Sequence, residues 1–313
     1  MKRIFKTAED MTLQKVSAFE PGTWIALTNP TTAEMREIAD RYEIDMDDIR
    51  SPLDEEERSR IQVEDDYTLI ILDIPTTEEH HGKESFYTIP MGIIFLDDVI
   101  VTICLEDSPI LTAFMDGRVR SFQTQKKTRF INQILYRNAT LFLQYLRIID
   151  KKSDVIEKKM QISQRNQELL ELYELEKSLV YFSTSLRGNE IVLERLMRNT
   201  SIPRYEEDED LLEDVIIENK QAIEMAKIYS DILAGTMDTF ASIISNNLNI
   251  VMKVLSVITI VLTVPTIISS AFGMNLKGIP LAHNPNGFWL ICLLSLIITL
   301  VIWLIITKTK VLK

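Results

Sequence analysis

The hydrophobic and polar positions of this chain fall into three successive patterns. Over the first 125 or so residues the apolar residues come in short β-rich runs, at 23–28, 67–74, 87–96 and 99–105. These runs are rich in Val, Ile and aromatic residues and are bounded by turn signals, which predicts strands. Asn29-Pro30 closes the first of them, and 32–42 then shows helical spacing, with Thr31 or Thr32 as cap and Glu34 in the first turn. The segment 76–83, T-T-E-E-H-H-G-K, predicts a polar connection between two strands. Asp107-Ser108-Pro109 ends the last strand and opens a helix. Strands followed by helices predict an α+β domain over 1–125.

The strand signal then stops. Residues 128–197 are charged and nearly free of Gly and Pro, which predicts two long helices, an antiparallel hairpin over 126–204 with its break at 162–166. Past Pro203, the acidic run Glu206 to Asp210 suits a helix N-terminus, whose dipole favours anions. From there Ala226, Tyr229, Leu233, Met237, Phe240, Ile244, Leu248 and Val251 recur by threes and fours, and the pattern runs on into an almost uncharged stretch. A single helix over 205–274 would be about 100 Å long at 1.5 Å per residue, and it needs support from the hairpin or from copies of itself.

That stretch, 249–275, has Lys253 as its one charge and is long enough to cross a bilayer core of about 30 Å. A lipid anchor would be apolar all round. Here Asn249, Met252, Ser256, Thr259, Thr263, Thr266 and Ser270 fall on one face. Such a stripe serves two ends, close packing of membrane helices or the lining of a water-filled path. It ends in Gly273-Met274-Asn275. A loop over 275–287, a second apolar span at 288–306 and a short basic tail at 307–313 follow.

Two spans with Gly-Met-Asn at the outer end of the first closely resemble the CorA family of divalent-cation channels. M-K-V-L at 252–255, Pro265 ten residues before Asn275, and E-K-S-L-V-Y-F-S-T-S-L-R at 176–187 fit the same pattern. The resemblance implies a funnel-shaped homopentamer that carries Mg²⁺, with Gly273, Met274 and Asn275 as selectivity filter and Asn275 facing a hydrated ion. Asn249, Met252, Leu255, Ser256, Thr259, Thr263, Thr266 and Ser270 would line the pore, with Met252 and Leu255 as an apolar constriction. It also implies a regulatory Mg²⁺ site between subunits, for which Asp214, Glu78 and Glu79 are the candidates. Related proteins carry Zn²⁺, Co²⁺ or Ni²⁺, some with a proton, and that alternative stays open. Many relatives have an acid in the outer loop, whereas here 276–287 has none and offers only His283 as a metal ligand.

Charge sharpens this picture. The chain carries −12 in all, but from Asn249 onward there are five Lys and no acid, so residues 1–248 hold 29 Lys and Arg against 46 Asp and Glu, a net of −17. An acidic soluble part argues against nucleic acid and suits a small cation. The N-terminus lacks an apolar signal segment. Lys253 before the first span and Lys308, Lys310 and Lys313 after the second predict both termini on the cytoplasmic side of the cell (inner) membrane. Cys104 and Cys292 lie in different regions and are not expected to pair. His80 and His81, beside Glu78 and Glu79, are read as part of an exposed loop, because a transition-metal site needs three or four convergent ligands. No phosphate loop and no triad or paired-acid arrangement stands in a recognisable context, so neither an enzyme nor a cofactor is expected. The remaining alternative is a non-conducting, membrane-anchored helical scaffold or sensor.

Overall fold

In the computed structural model, Trp24 lies at the centre of the sheet and is fully buried. The structure describes all residues except 81–82, 163–165, 200, 204, 275–278, 282–283 and 309–313. Seven strands, β1 (Lys2–Thr7), β2 (Leu13–Val16), β3 (Thr23–Thr28), β4 (Arg60–Val63), β5 (Tyr67–His80), β6 (Lys83–Leu96) and β7 (Ile100–Cys104), form one sheet in the order β2-β1-β3-β7-β6-β5-β4. Only β3 and β7 pair in parallel; the other neighbours are antiparallel.

Period-two alternation sorts the inner strands between two cores. Trp24, Ala26, Ile70, Leu72, Met91, Ile93, Ile100 and Cys104 point to one face, and Ile25, Leu27, Leu69, Ile71, Ile94, Val101 and Ile103 to the other. Two short helices, α1 (Thr32–Tyr42) and α2 (Met46–Arg50), cover the second face. α3 (Pro109–Met115), α4 (Lys127–Ile162), α5 (Asn166–Arg198) and the start of α6 (Glu206–Phe272) cover the first. Burial on both faces explains why the central strands read as continuous apolar runs.

Local signals set the ends of these elements. Thr31 and Glu34 form a reciprocal capping box at the start of α1, and Ser108 caps α3 ahead of Pro109. β5 and β6 extend well past the apolar runs, so most of the expected polar connection at 76–83 is paired strand, with Thr76 opposite Tyr87 and Glu78 opposite Ser85. Antiparallel pairing held that segment in strand although its residues are polar. Pro75 and Pro90 sit where β4 and β7 have already ended, at Ile71 and Met91 respectively, so neither removes a ladder hydrogen bond from those neighbours.

α4 and α5 run antiparallel: Ile131 and Leu196 share a core at one end, while the Phe142 and Phe182 rings stand 5.1 Å apart further along. α5 also packs on β4, β5 and β6, so the helical pair and the sheet share one core. The chain divides into two compact units, Met1–Thr236 and Met237–Lys313, with the boundary inside α6. The second unit holds the end of α6 and α7 (Gly287–Lys308).

Candidate functional site: the polar face of the first span

Two helices, Glu206–Phe272 and Gly287–Ile306, are long and apolar enough to cross a bilayer. Phe288 and Trp289 stand exposed at the start of α7, as aromatic residues at a membrane interface do. α7 covers one side of α6. Val257 is buried, and Val261, Val264, Pro265, Ile268 and Phe272 are half-buried, with Val261 and Pro265 facing Ile291, Ser295 and Thr299 across a groove.

Most of the candidate lining residues are on the other side, although Asn249, Met252 and Ser256 share a groove with Ile306 of α7. Asn249, Met252, Leu255, Ser256, Thr259, Thr263, Thr266 and Ser270 are all exposed. At about 100° per residue, this set and the α7-facing set are centred roughly 160° apart. The polar face is therefore not what holds the two helices of one chain together.

Its hydroxyls share one orientation. Ser256, Thr259, Thr263 and Thr266 donate to the carbonyls of Met252, Leu255, Thr259 and Leu262 at 2.8, 2.8, 2.7 and 2.9 Å. Each hydrogen is thus engaged by the residue four positions back, and the oxygen keeps lone pairs for whatever approaches. Gly273 still donates its N–H to the Ser269 carbonyl at 2.9 Å, and Met274 follows, exposed. Asn275 and His283 lie outside the described residues.

Glu78 and Glu79 are exposed near the end of β5, and Asp214 is exposed on α6. Among the described residues no three His, Cys, Asp or Glu side chains stand close enough to hold a metal, so one chain does not bring these three together. Glu78 does sit in an acidic neighbourhood: burial raises the Tyr87 phenol, and the carboxylates of Glu106, Glu78 and Glu55 raise it further. At the root of α6, Asp208 is buried 3.4 Å from the Arg129 guanidinium; burial raises its carboxyl and Arg129 opposes the rise. That ion pair was not legible in the sequence, where Asp208 is one acid among five.

With this geometry in view, the sequence profile of the CorA-like Mg²⁺ transporter protein family matches residues 20–308. The chain belongs to the CorA family. It is 28% identical to the cobalt/magnesium transport protein CorA of Methanocaldococcus jannaschii over 287 residues, covering 89% of this chain and 87% of that protein. The complete structure of the CorA magnesium transporter from the same organism matches with a TM-score of 0.84 at 25% identity, covering 98% of each chain. The cytoplasmic domain of ZntB from Vibrio parahaemolyticus is similar in fold alone, with a TM-score of 0.61 at 12% identity over 79% of this chain and 97% of that one. The CorA family consists of ion transporters, and the expected α+β domain, long helices and two C-terminal apolar helices agree with the M. jannaschii CorA fold.

Proposed function

We propose that this CorA-family protein is a channel for divalent cations, with Mg²⁺ as its main cargo, taken up into the cytoplasm. The observation that carries the reading is the polar face of α6 turned away from α7. Two spans cannot enclose a path, so a polar face left open by its own chain calls for copies of the chain around one axis. A closed ring is the usual arrangement for a homo-oligomer, and the family resemblance gives five as the number.

In such a ring, Thr259, Thr263 and Thr266 offer acceptor oxygens to the axis. A hydrated cation turns its water hydrogens outward, so acceptor lone pairs complement its shell. Mg²⁺ gives up water reluctantly and keeps several molecules, so contact through the shell suits it. Asn275 at the outer mouth supplies neutral amide oxygens, which hold an ion without trapping it. At the other end, Met252 and Leu255 form an apolar constriction that closes by drying. A divalent ion gains about 4.6 kcal/mol per 100 mV, which suffices to drive uptake. Cytoplasmic Mg²⁺ between Asp214 of one copy and Glu78 and Glu79 of the next clamps the ring shut, and its loss lets like charges push the copies apart.

Co²⁺ is the second cargo, a reading supported by the name of the M. jannaschii relative. The test is flux into reconstituted vesicles of Mg²⁺, Co²⁺, Ni²⁺ and Zn²⁺, each with and without a pH gradient. Mg²⁺ and Co²⁺ entry independent of the pH gradient is expected. Asn275→Ala and the pair Thr263→Val and Thr266→Val should each cut Mg²⁺ flux at least about ten-fold if the lining contributes charge stabilisation of roughly 1.4 kcal/mol or more. Unchanged flux in both variants would move the path away from this face, and no flux of any of the four ions would return the protein to the scaffold reading.

A further inference from the structure

The groove between α6 and α7 has a volume of about 420 Å³ and is lined by Val261, Pro265 and Ser269 on one helix and by Cys292, Ser295 and Thr299, among others, on the second. Pro265 has no N–H, so the Val261 carbonyl lacks the donor that would normally come from four residues on. Thr299, like the hydroxyls of the opposite face, donates to the carbonyl four positions back, at 2.8 Å. The Ser269 and Ser295 hydroxyls behave differently. They stand on opposite walls of the groove, and neither makes a hydrogen bond among the described residues.

Three residues that line this one groove, Val261, Ser269 and Ser295, therefore each carry a polar group without a partner in the helices, among neighbours that are mostly apolar. In hydrocarbon such groups must find partners, and a proline in a membrane helix is tolerated where a neighbouring side chain or water supplies them. A lipid tail satisfies none of the three. Water satisfies all of them: it donates to the carbonyl and to one serine oxygen and accepts from the other serine hydroxyl. It needs two to four polar partners and roughly 30 Å³, and the groove offers both.

We infer that the α6–α7 groove is a hydrated site within the membrane, holding water between the Val261 carbonyl and the Ser269 and Ser295 hydroxyls. Water there gives α6 an exchangeable hydrogen bond at its weakest point, so the helix bends at Pro265 without leaving a carbonyl bare. The site depends on both helices lying in the membrane and is independent of which ion passes on the opposite face.

Cys292 reports on the groove directly. A thiol reacts as the thiolate, which forms only where water reaches it. Cys104, the other cysteine, is buried and its thiol is pushed up to about 11 by burial, so it stays silent; Cys292→Ser measures any background. The full-length protein in phosphatidylcholine nanodiscs is treated with a charged methanethiosulfonate reagent. The comparison is Cys292→Ser combined with Leu294→Cys, which places the thiol at nearly the same depth on α7 but off the groove, where Leu294 is 47% exposed.

Cys292 should react about ten-fold faster than the cysteine at 294, because only the groove supplies polar partners for water. Ser295→Ala and Pro265→Ala should each slow Cys292 about three-fold or more, by removing one of those partners. Equal rates at the two positions overturn the inference, and so does a Cys292 rate that neither substitution changes. Ser295→Ala removes one oxygen from a half-exposed position, so it keeps the test decisive if Pro265→Ala fails to assemble.

Discussion

The Asn189 carboxamide pairs with both main-chain groups of Asp73: its Oδ1 accepts the Asp73 N–H at 2.9 Å and its Nδ2 donates to the Asp73 carbonyl at 2.8 Å. One side chain of α5 thus takes the place of the strand that β5 lacks once β4 has ended. Asn138 of α4 donates to the same carbonyl at 2.9 Å, and Ser59 donates to Asn189 Oδ1 at 3.1 Å. Asn189→Ala should cost about 1–3 kcal/mol, because the Asp73 N–H loses its acceptor while the carbonyl keeps the Asn138 donor. Asn189→Asp should also destabilise at neutral pH, since it buries a charge and turns a carboxylate oxygen, in place of a donor, toward the Asp73 carbonyl. Urea unfolding of the purified protein measures both, and wild-type stability in Asn189→Asp would contradict the pairing.

The side chain of Asp73 has its own signature. Burial raises its carboxyl above the ordinary value of 3.8, while the nearby Ser185 and Ser59 hydroxyls oppose the rise. The folded chain therefore holds this proton to a higher pH than the unfolded chain does. The stability tied to that proton is fully present below the unfolded value and is lost as pH rises through the raised folded value. Wild type should accordingly lose more stability than Asp73→Asn as pH rises from the ordinary carboxyl value of 3.8 to neutral. Parallel thermal melts of the two proteins test this, and identical pH slopes would refute it.

Gly92 marks a close approach in the middle of β6. A Cβ there would lie 2.3 Å from Pro52 Cγ and 2.9 Å from Pro52 Cβ. Pro52 is buried in a short 3-10 turn, Ser51–Leu53, that presses on the sheet, and a proline ring cannot swing aside. Gly92→Ala should therefore destabilise the first unit by about 1–3 kcal/mol, as overpacking does. Combining it with Pro52→Ala should recover part of that loss, a coupling that a double-mutant cycle reads out.

The regulatory proposal has a direct readout. Replacing Asp214, Glu78 and Glu79 together with Asn, Gln and Gln should leave the current open at cytoplasmic Mg²⁺ levels that close the wild-type channel. Patch recordings over a range of Mg²⁺ test it; an unshifted inhibition curve would assign these three acids to the solvated surface.

The elements with a local signal were legible in the sequence. Thr31 and Glu34 announced α1 and Ser108-Pro109 announced α3, while the expected helical break at 162–166 falls largely outside the described residues. β1 and β2 were not foreseen. Their residues, K-R-I-F-K-T and L-Q-K-V, are short and rich in Lys, and they become strands by pairing across residues far from one another in sequence, such as Phe5 with Trp24. The roles of Asn189 and Gly92 were equally hidden, since each depends on a partner more than 35 residues away. The polar face of α6 was visible as a pattern, but only the position of α7 shows that it does not serve packing within the chain.

Because Ser256, Thr259, Thr263 and Thr266 give their hydrogens to their own helix, the row they form would, in the proposed path, show a passing ion lone pairs alone. A chloride takes one hydrogen from each of its shell waters, so that shell offers fewer outward hydrogens to a row of acceptors than the shell of a cation does. A preference for cations over anions would then need no formal charge along this row. It would also persist in concentrated salt, where the attraction of fixed surface charges fades within a few ångströms.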